Sequence, residues 1–485
     1  MEPPPLAPTA RTPALRLAEA AVVAAAGLVI VLVFLALDSA VPWIVAALAL
    51  GGLALALVRG HPLLQLGVCL AASVLIMGGE EGVSVGEALY FGLTALFFAG
   101  WYTRELAAGV PSLRSTDDIV AWLWLLVGLG VAILVSRVFG ANPADHRAEM
   151  ISLYPFLFFF PVKEAVVRHR NGAALIAGAL VGFALYTSVR NGFALRSVFA
   201  GADQWWQIAD ARFSTGETAM AAALMVTLSL FAALRSPRVR LALLAAFGVV
   251  LGGLLLTKSR GYWLSVLFGI GVLLAISPAR SRARIATYLG LGTVALGMLA
   301  VVLFSDQLLL LVVGVVKRFS SLATAATTDI SLLNRYAENA ATWEEIRRNP
   351  ILGHGWGNRI THYSVIGRGT RHWSFTHNMY LFVWHKVGLW GLALLLLLWG
   401  RAIVRGALAA RSAALTPAQQ AMATGAAASV AAIALVANTS NPLGVIDASL
   451  ISTLALALAH GLAQRADAAD TIAPRHLDAQ PPGTA

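Results

Sequence analysis

The chain has 485 residues, of which 58% are hydrophobic and 12% are charged, whereas a soluble domain is about half apolar and about a quarter charged. This composition excludes an ordinary soluble protein. Repeated apolar runs of roughly 20 residues, separated by short basic segments, indicate a polytopic helical membrane protein. The net charge of +11 is attributed to cytoplasmic loops, and no nucleic-acid partner is expected.

Fourteen apolar spans are predicted between a disordered tail at residues 1–16 and a second one at 464–485. The first run lacks a cleavage pattern and is predicted to be retained as a helix. Tyr154, Pro155 and Pro161 interrupt the sixth span, and the expected total is about 12–14 helices. The predicted spans are residues 17–37, 42–58, 63–78, 87–101, 119–137, 150–164, 172–188, 217–234, 240–257, 262–277, 285–304, 378–399, 419–437 and 445–463.

The distribution of lysine and arginine predicts the orientation of these spans. If the N-terminus is cytoplasmic and the spans alternate, the cytoplasmic segments carry 19 Lys and Arg residues and the short outer loops carry 7. Both tails are then cytoplasmic. The segments 189–216, 257–262 and 305–377 are then predicted to lie on the outer side of the membrane.

The segment 305–377 is the one long polar stretch, with membrane helices expected before it (17–304) and after it (378–463). Because long ordered loops usually carry function, it is predicted to be a periplasmic catalytic loop with short helices. Asn334 is predicted to cap a helix that stops at Asn349 and Pro350. This helix is predicted to lie on the membrane surface through its apolar positions, Tyr336, Ala340, Trp343 and Ile346.

Three arginines of the outer segments are candidate anion-binding residues, because a guanidinium offers a rigid fork to phosphate oxygens. Arg260, close to Lys258 at the end of a span, is either part of an interfacial snorkelling pair or an anion site. Arg212 either pairs with a neighbouring carboxylate or serves an anion. Arg335 is either a surface charge of the loop helix or a site residue, and the residues leave these alternatives open.

His377 stands at the mouth of a predicted span and is the sharpest candidate for a general base, because imidazole accepts a proton near neutral pH. The alternative is an interfacial bystander, which is the interpretation for four nearby histidines, His354, His362, His372 and His385. No Cys/His spacing resembles a zinc site, so no metal is expected. The series Gly353-x-Gly355-x-Gly357 does not follow a strand and predicts a turn re-entering the membrane surface, not a dinucleotide site.

Several short motifs, taken in order, resemble the O-antigen ligase/polymerase superfamily over residues 205–400. They are Thr257-Lys258-Ser259-Arg260-Gly261, Arg335…Trp343, Asn349-Pro350-x-x-Gly353-x-Gly355-x-Gly357, His377-Asn378-x-x-Leu381 and Gly388-Leu389-x-Gly391-Leu392. Each motif alone is weak, and the ordered combination is more specific.

The resemblance implies an all-α, GT-C-like membrane glycosyltransferase that moves a glycan from undecaprenyl diphosphate to an acceptor hydroxyl at the periplasmic leaflet. It implies a metal-independent, inverting reaction without a cofactor, among membrane lipids. Carried over by position, His377 is the base and Lys258, Asn378 and Gly355 are supporting residues. The diphosphate contacts carried over are Arg212, Arg260 and Arg335.

Ligation of O-antigen to lipid A–core is the expected function. The same motifs are shared by O-antigen, capsule and exopolysaccharide polymerases, whose acceptor is a second lipid-linked glycan, and by protein O-oligosaccharyltransferases. A different class, a transporter of polysaccharide precursors, would favour internal repeats and charges at the membrane midplane. No repeat is found, and the candidate charges Lys386 and Asp447 both lie near span ends.

Overall fold

The computed structural model describes residues 61–76, 85–107, 115–201, 215–304, 316 and 330–472, and this part of the chain is almost entirely helical. The helix Pro143–Arg168 contains a 3-10 segment, and the helix Thr116–Val138 contains a π-helical one. The helices are α1 (Pro62–Ala72), α2 (Val85–Ala107), α3 (Thr116–Val138), α4 (Pro143–Arg168), α5 (Gly172–Gly201), α6 (Glu217–Ala233), α7 (Pro237–Leu256), α8 (Arg260–Ile276), α9 (Ala279–Phe304), α10 (Ile330–Arg348), α11 (Met379–Ala409), α12 (Pro417–Val436) and α13 (Ile446–Ile472).

The all-α, polytopic prediction is confirmed. Every predicted span within the described residues coincides with a helix, while the spans 17–37 and 42–58 lie outside the described residues. Seven described helices are long and apolar enough to cross a membrane, and three shorter apolar helices, α1, α6 and α8, accompany them. The domain boundaries, the total helix count and the GT-C likeness stay predictions.

The interrupted sixth span is a helix buried inside the bundle. Pro155 has no N–H to donate, and residues Tyr154–Phe158 tighten into a 3-10 segment within α4. The aromatic side chains of this segment pack into the core. The ring centroids of Phe158 and Phe98 are 4.7 Å apart, and the Tyr154 hydroxyl lies 2.8 Å from Thr94 Oγ1. This proline therefore redirects a membrane helix without ending it.

Small residues bring α6, α8 and α12 into close contact at the centre of the bundle. A Cβ at Gly425 of α12 would lie 2.9 Å from Cα of Val226 in α6, and one at Gly269 of α8 would lie 2.9 Å from Cβ of Ala432. Ser429 donates across the same interface to the Ala222 carbonyl at 3.1 Å. Such close backbone approach stabilises helix pairs where lipid supplies no hydrophobic driving force.

One end of the bundle, called the loop end, carries α10, a hairpin and the starts of α6, α8, α11 and α13. At the opposite end, arginines donate to the carbonyls that helix ends leave free. Arg284 reaches the Ala232 carbonyl at 3.0 Å, and Arg465 reaches that of His169 at 3.2 Å. Arginine side chains therefore cap the C-terminal carbonyls of helices at the opposite end.

A buried carboxylate also ties three helices together at the opposite end. Asp117 of α3 accepts from Arg401 Nε of α11 at 2.6 Å and from Arg405, and it lies 3.0 Å from His460 Nδ1 of α13. Asp117 is fully buried. Buried charges persist only with such partners, so the network fixes how α3, α11 and α13 meet.

One prediction about the start of α10 is wrong. The described helix runs from Ile330, so Asn334 lies inside it and is not its N-cap, although the helix does end at Arg348 before Asn349 and Pro350. Tyr336 is 51% exposed and Trp343 is 43% exposed, so contact of these residues with the membrane surface stays a prediction. The buried positions follow i, i+4 spacing and are mostly polar: Asn334, Glu338, Thr342 and Ile346. This polar face packs inward because the loop supplies hydrogen-bond partners for it.

A hairpin follows α10 where only short helices were predicted. Strand β1 (Ile360–Ser364) pairs antiparallel with β2 (Gly369–Trp373), and Ile360 lies opposite Trp373. Burial alternates strictly along β1, as the alternation of a half-buried strand requires. Its buried side faces α10, so the hairpin covers the polar face of that helix.

Candidate functional site

A histidine–carboxylate pair lies at the centre of the loop end. Nδ1 of His377 lies 2.7 Å from Oε2 of Glu338, and the backbone N–H of His377 donates to the same oxygen at 3.5 Å. The Glu338 side chain is buried, whereas 33% of the His377 side chain is exposed. The carboxylate thus orients the ring through Nδ1 and leaves Nε2 for another partner.

Glu338 is held in its ionised form. Burial by itself would raise the pKa of this carboxyl, but the hydrogen bond from the His377 ring, the charge of that ring and its backbone N–H outweigh burial. The pKa of Glu338 therefore lies below its ordinary value of 4.5. Because an ionised carboxylate can only accept, Nδ1 of His377 carries the hydrogen of this bond, and Nε2 is the ring nitrogen left for a second partner.

The carboxylate is fixed from its other side by α10 and the hairpin. Asn334, one helical turn before Glu338, donates to Glu338 Oε1 at 2.8 Å. The Asn334 carbonyl oxygen in turn accepts from the backbone N–H of Val365 in the hairpin turn at 3.0 Å. Because both ends of the amide are used, its orientation and that of the carboxylate are fixed.

Thr376 anchors the approach to His377. Its Oγ1 lies 3.2 Å from Oγ1 of Thr342 on α10, and its carbonyl accepts from Asn441 at 3.0 Å. Asn441 belongs to the loop between α12 and α13. Helix α10 and this second loop therefore hold the backbone immediately before the histidine.

His362 lies beside Glu338 in the buried side of β1. Its Nε2 is 3.9 Å from Glu338 Oε1, and neither ring nitrogen has a hydrogen-bond partner among the described residues. Burial lowers the pKa of His362, and the charges of Arg371 and His377 act in the same direction against the pull of Glu338. His362 is therefore neutral at neutral pH. The closer ring partner of the Glu338 carboxylate is His377, at 2.7 Å against 3.9 Å for His362.

The remaining predicted bystander histidines have separate surroundings. His354 stacks on His385 with ring centroids 4.9 Å apart, beside Phe139, and burial lowers the pKa of His354. His372 is exposed on β2 and lies 2.8 Å from Thr361 Oγ1. None of these three contacts the His377–Glu338 pair in the described part of the chain.

The glycine turn fits into a break in α11. At Gly388 the backbone leaves helical geometry, with φ 77° and ψ −176°. The carbonyls of His385 and Lys386 accept instead from the N–H groups of His354 and Gly355, at 2.7 and 2.9 Å. The N–H of Leu389 donates to the Pro350 carbonyl, so the turn satisfies the backbone groups that the break releases.

Gly355, predicted as a supporting residue, packs against α3. Its φ is +80°, and a Cβ there would lie 2.3 Å from the backbone nitrogen of Ser136. The next residue, Trp356, is buried and donates to the Gly128 carbonyl inside the π-helical segment of α3. The turn is therefore packed between α3 and α11, and its glycines serve close packing there.

A buried ion pair lies beneath the same turn. Lys386 Nζ of α11 lies 2.9 Å from Oε1 of Glu149 in α4, and both side chains are at least nine-tenths buried. Glu149 also accepts from the Gly357 N–H at 2.6 Å, and Lys386 donates to the Asn358 carbonyl. The pair therefore joins two membrane helices to the end of the glycine turn.

Asn378 is a helix cap. Its Oδ1 accepts from the N–H groups of Tyr380 and Leu381, at 3.0 and 3.2 Å. Ser, Thr, Asp and Asn are the preferred residues at this position because they satisfy donors that the first turn leaves free. Asn378 thus starts α11 immediately after His377, so the histidine lies directly before the first turn of this helix.

Arg260 opens α8 at the loop end. A Cβ at the adjacent Gly261 would lie 2.8 Å from Thr439 Oγ1, so the start of α8 lies against the loop between α12 and α13. Through Asn441 that same loop holds Thr376. The structure therefore brings Arg260 and His377 to one loop at the same end of the bundle.

Lys258 precedes Arg260 in a left-handed conformation. Its φ is +51°, which is uncommon for a residue with a side chain, and the residue is buried. Thr257 stabilises the turn, since its hydroxyl donates to the Leu254 carbonyl at 2.7 Å and accepts from the Ser259 N–H at 3.3 Å. The backbone that carries Lys258 and Arg260 is therefore held by Thr257.

Arg335 and Arg212 complete the predicted set. Arg335 lies on α10, half-buried, next to Asn334 and one turn before Glu338. The predicted cap at Asn334 would make Arg335 the first residue of the helix. In the structure Arg335 lies in the second turn or later. Arg212 lies outside the described residues, and its prediction is untested.

Glu338 was not among the predicted site residues. The prediction for α10 followed its apolar positions, whereas the buried face is polar. The signal that could have found the carboxylate is the polar series Asn334, Glu338 and Thr342, spaced i, i+4, i+8 in a helix that precedes a candidate base.

Comparisons with known proteins agree with this geometry. Residues 245–396 match a family model described as O-antigen ligase. Over 180 residues the chain is 29% identical to an O-antigen ligase of Salmonella typhimurium strain LT2, an alignment that covers 35% of this chain and 41% of that protein. The chain thus matches about two fifths of the length of this relative.

The apolar helices and the matched segment define an integral membrane protein. Over this segment the chain is similar to O-antigen ligases, so the resemblance to the O-antigen ligase/polymerase superfamily that its motifs predicted is confirmed there. The matched segment contains Arg260, Arg335, Glu338 and His377, and it does not include Arg212.

Proposed function

We propose that this protein transfers a glycan from undecaprenyl diphosphate to a hydroxyl of lipid A–core, at the periplasmic face of a bacterial inner membrane. The observation that carries the proposal is the His377–Glu338 pair, which lies inside the segment similar to O-antigen ligases. Ligation is proposed over polymerisation because both the family model and the Salmonella relative are described as O-antigen ligases.

His377 acts as the general base in this reaction. Its Nε2 takes the proton of the acceptor hydroxyl while the hydroxyl oxygen forms a bond to the anomeric carbon of the donor. The bond from that carbon to the diphosphate oxygen breaks, and its electron pair leaves with undecaprenyl diphosphate. Glu338 stabilises the imidazolium through Nδ1, and attack opposite the leaving group inverts the anomeric centre.

Fixed cations stabilise the charge that develops on the leaving diphosphate. Arg260 and Arg335 contact the diphosphate in this proposal, with Lys258 beside them and Arg212 as a further contact. Preorganised groups of this kind can each contribute on the order of 3 kcal/mol to the barrier. Because diphosphate is a good leaving group, these residues suffice without a metal ion or a second acidic carboxyl.

The charge distribution supports a periplasmic site. Arginines such as Arg284 and Arg465 lie at the end opposite to the site, where the positive-inside tendency favours the cytoplasm. The loop end then faces the periplasm, and both tails lie in the cytoplasm. The lipid tail of the donor lies between helices in the bilayer, with its diphosphate at the loop end.

The test is transfer by the purified protein in proteoliposomes, with His377→Ala as the inactive control. The substrates are an undecaprenyl-diphosphate-linked glycan with and without lipid A–core. Ligase activity gives a single shift of lipid A–core that the variant does not give, although the variant still inserts and binds donor. A ladder on the donor lipid would contradict ligation in favour of polymerisation, and movement of donor without transfer would indicate a transporter.

A further inference from the structure

The hairpin and the segments beside it carry charge of one sign. Residues 350–377 contain three arginines and no aspartate or glutamate. Arg359 is paired with Asp145 of α4. Arg368 and Arg371 are exposed, and neither has a carboxylate partner among the described residues. Two exposed guanidinium groups therefore lie on this surface, and no carboxylate of the described residues pairs with them.

This surface adjoins the reaction centre. The Trp373 ring of β2 lies 6.4 Å from the His377 ring, and the Phe375 ring lies 5.2 Å from it. Arg371 lies opposite His362 in the hairpin register, on the same side of the hairpin as Trp373. Arg371 and Trp373 therefore share one side of β2, and the Trp373 ring lies next to the His377 ring.

The turn of the hairpin limits the position of Arg371. A Cβ at Gly367 would lie 2.8 Å from Nη2 of Arg371, so the guanidinium lies against the turn. Arg368 occupies that turn with φ +49°. Both guanidinium groups are therefore presented by one hairpin, Arg368 from its turn and Arg371 from β2.

Two guanidinium groups beside an aromatic ring match the chemistry of a phosphorylated sugar. Arginine binds phosphate oxygens through two parallel hydrogen bonds, and an exposed indole offers an apolar surface to a sugar ring. A phosphate monoester carries a charge of about −1.5 to −2 at neutral pH, so it balances two arginines better than a single carboxylate does.

We propose that the hairpin is the acceptor-recognition element, and that Arg368 and Arg371 bind a phosphate group on the acceptor saccharide while Trp373 packs against the sugar. The inference rests on the proposed function and sharpens it. The acceptor is a phosphorylated glycolipid, and a neutral saccharide is a poor acceptor. Arg368, Arg371 and Trp373 are specificity residues and take no part in proton transfer.

The test compares a phosphorylated acceptor with the same acceptor after phosphatase treatment. Arg371→Gln and Arg368→Gln are each expected to lower kcat/KM about tenfold on the phosphorylated acceptor, through KM, because each loses a charge-assisted hydrogen bond. On the dephosphorylated acceptor the variants should match the wild type. Arg371→Lys, which keeps the charge, should recover part of the loss.

Arg347→Gln is the matched control, because this arginine is 64% exposed on α10 in the same segment and pairs only with Glu344 at 3.3 Å among the described carboxylates. It removes the same charge and should leave both acceptors unaffected. Equal losses on the two acceptors would overturn the inference. So would a loss that follows the anionic lipid content of the vesicles, since the hairpin would then bind the bilayer.

A binding measurement separates this inference from the proposed function. The lipid-free phosphorylated saccharide is titrated into the detergent-solubilised protein and followed by calorimetry. Binding that depends on the phosphate and on Arg371 supports the hairpin site even if no transfer is found. Absence of phosphate-dependent binding by a protein that transfers glycan would overturn the hairpin site and leave the proposed function standing.

Discussion

The contact between Glu338 and His377 makes the carboxylate a positioning residue that acts through the histidine. In Glu338→Gln the amide can donate to Nδ1 and so select the wrong tautomer of the ring. We expect kcat to fall by about 100-fold or more, with little change in the KM for donor. The measurement is steady-state transfer in proteoliposomes at saturating acceptor.

Glu344→Gln is the matched control for this variant, because Glu344 lies on the same helix and is 62% exposed. It should transfer at the wild-type rate and unfold within about 0.5 kcal/mol of the wild type, as most surface substitutions do. A Glu338→Gln protein that transfers as fast as this control would exclude Glu338 from the mechanism.

The depressed pKa of Glu338 also predicts how stability depends on pH. Burial opposes ionisation, but the bonds and charge of His377 hold the pKa below 4.5. Such a carboxyl stabilises the folded state above the pKa of the unfolded chain, and the contribution is lost as the pH falls through the folded-state pKa. The melting-temperature gap between wild type and Glu338→Gln should be widest near neutrality and should close in acid. A gap independent of pH would refute the assignment.

His377 could be predicted from the sequence and Glu338 could not, for a physical reason. A histidine at the mouth of an apolar span is conspicuous, because the spans around it contain few polar residues. Glu338 is one of three glutamates on α10, along with Glu344 and Glu345, and only the packing of the helix shows which face is buried. The anion-binding roles of Arg260 and Arg335 stay predictions, although the structure places both at the loop end.

At the scale of elements, the break in α11 and the glycine turn form one packed unit. Gly388 has a φ/ψ combination that is essentially limited to glycine, and a Cβ there would lie 2.1 Å from the Ile351 carbonyl oxygen. We expect Gly388→Ala to destabilise the protein by about 1–3 kcal/mol or more, from backbone strain plus the clash. Thermal unfolding in detergent measures this.

Gly400→Ala gives the opposite expectation in the same helix. Gly400 is helical and exposed, and nothing lies within 4 Å of an added Cβ. Alanine in a helix interior is more favourable than glycine by roughly 0.5–1 kcal/mol, so this variant should be neutral or slightly more stable. Equal melting temperatures for the two variants would mean that the turn does not depend on the break.

The hairpin is the element that the sequence did not predict. Ile360-Thr361-His362-Tyr363-Ser364 does alternate, but five residues in a loop give a weak signal for a strand. Two strands alone are marginal in water and need a further surface to pack on. Helix α10 supplies that surface, and only the folded loop brings it near.

At the scale of the whole molecule, the spans were predictable because a bilayer requires long apolar helices whose backbone groups are satisfied internally. In the span 150–164, which prolines interrupt, α4 is kept helical by contacts with other helices. Orientation is predicted from the distribution of lysine and arginine, and a direct measurement can check it.

Cysteine labelling can measure the orientation, because Cys69 is the single cysteine and is buried. Thr370 is exposed on the hairpin, and Arg411 is exposed at the opposite end. A membrane-impermeant thiol reagent added to spheroplasts should label Thr370→Cys directly and Arg411→Cys only after the membrane is permeabilised. The reverse pattern would place the site in the cytoplasm and contradict the proposed function.

The attachment of the glycine turn to α11 also determines how the site responds to a change in bilayer thickness. The backbone bonds of His354 and Gly355 and the Lys386–Glu149 pair join the polar segment to helices rather than to lipid head groups. A thinner or thicker bilayer is accommodated by tilting of helices, and the turn moves with them. The distance between base and membrane helices is thus insulated from changes in lipid chain length.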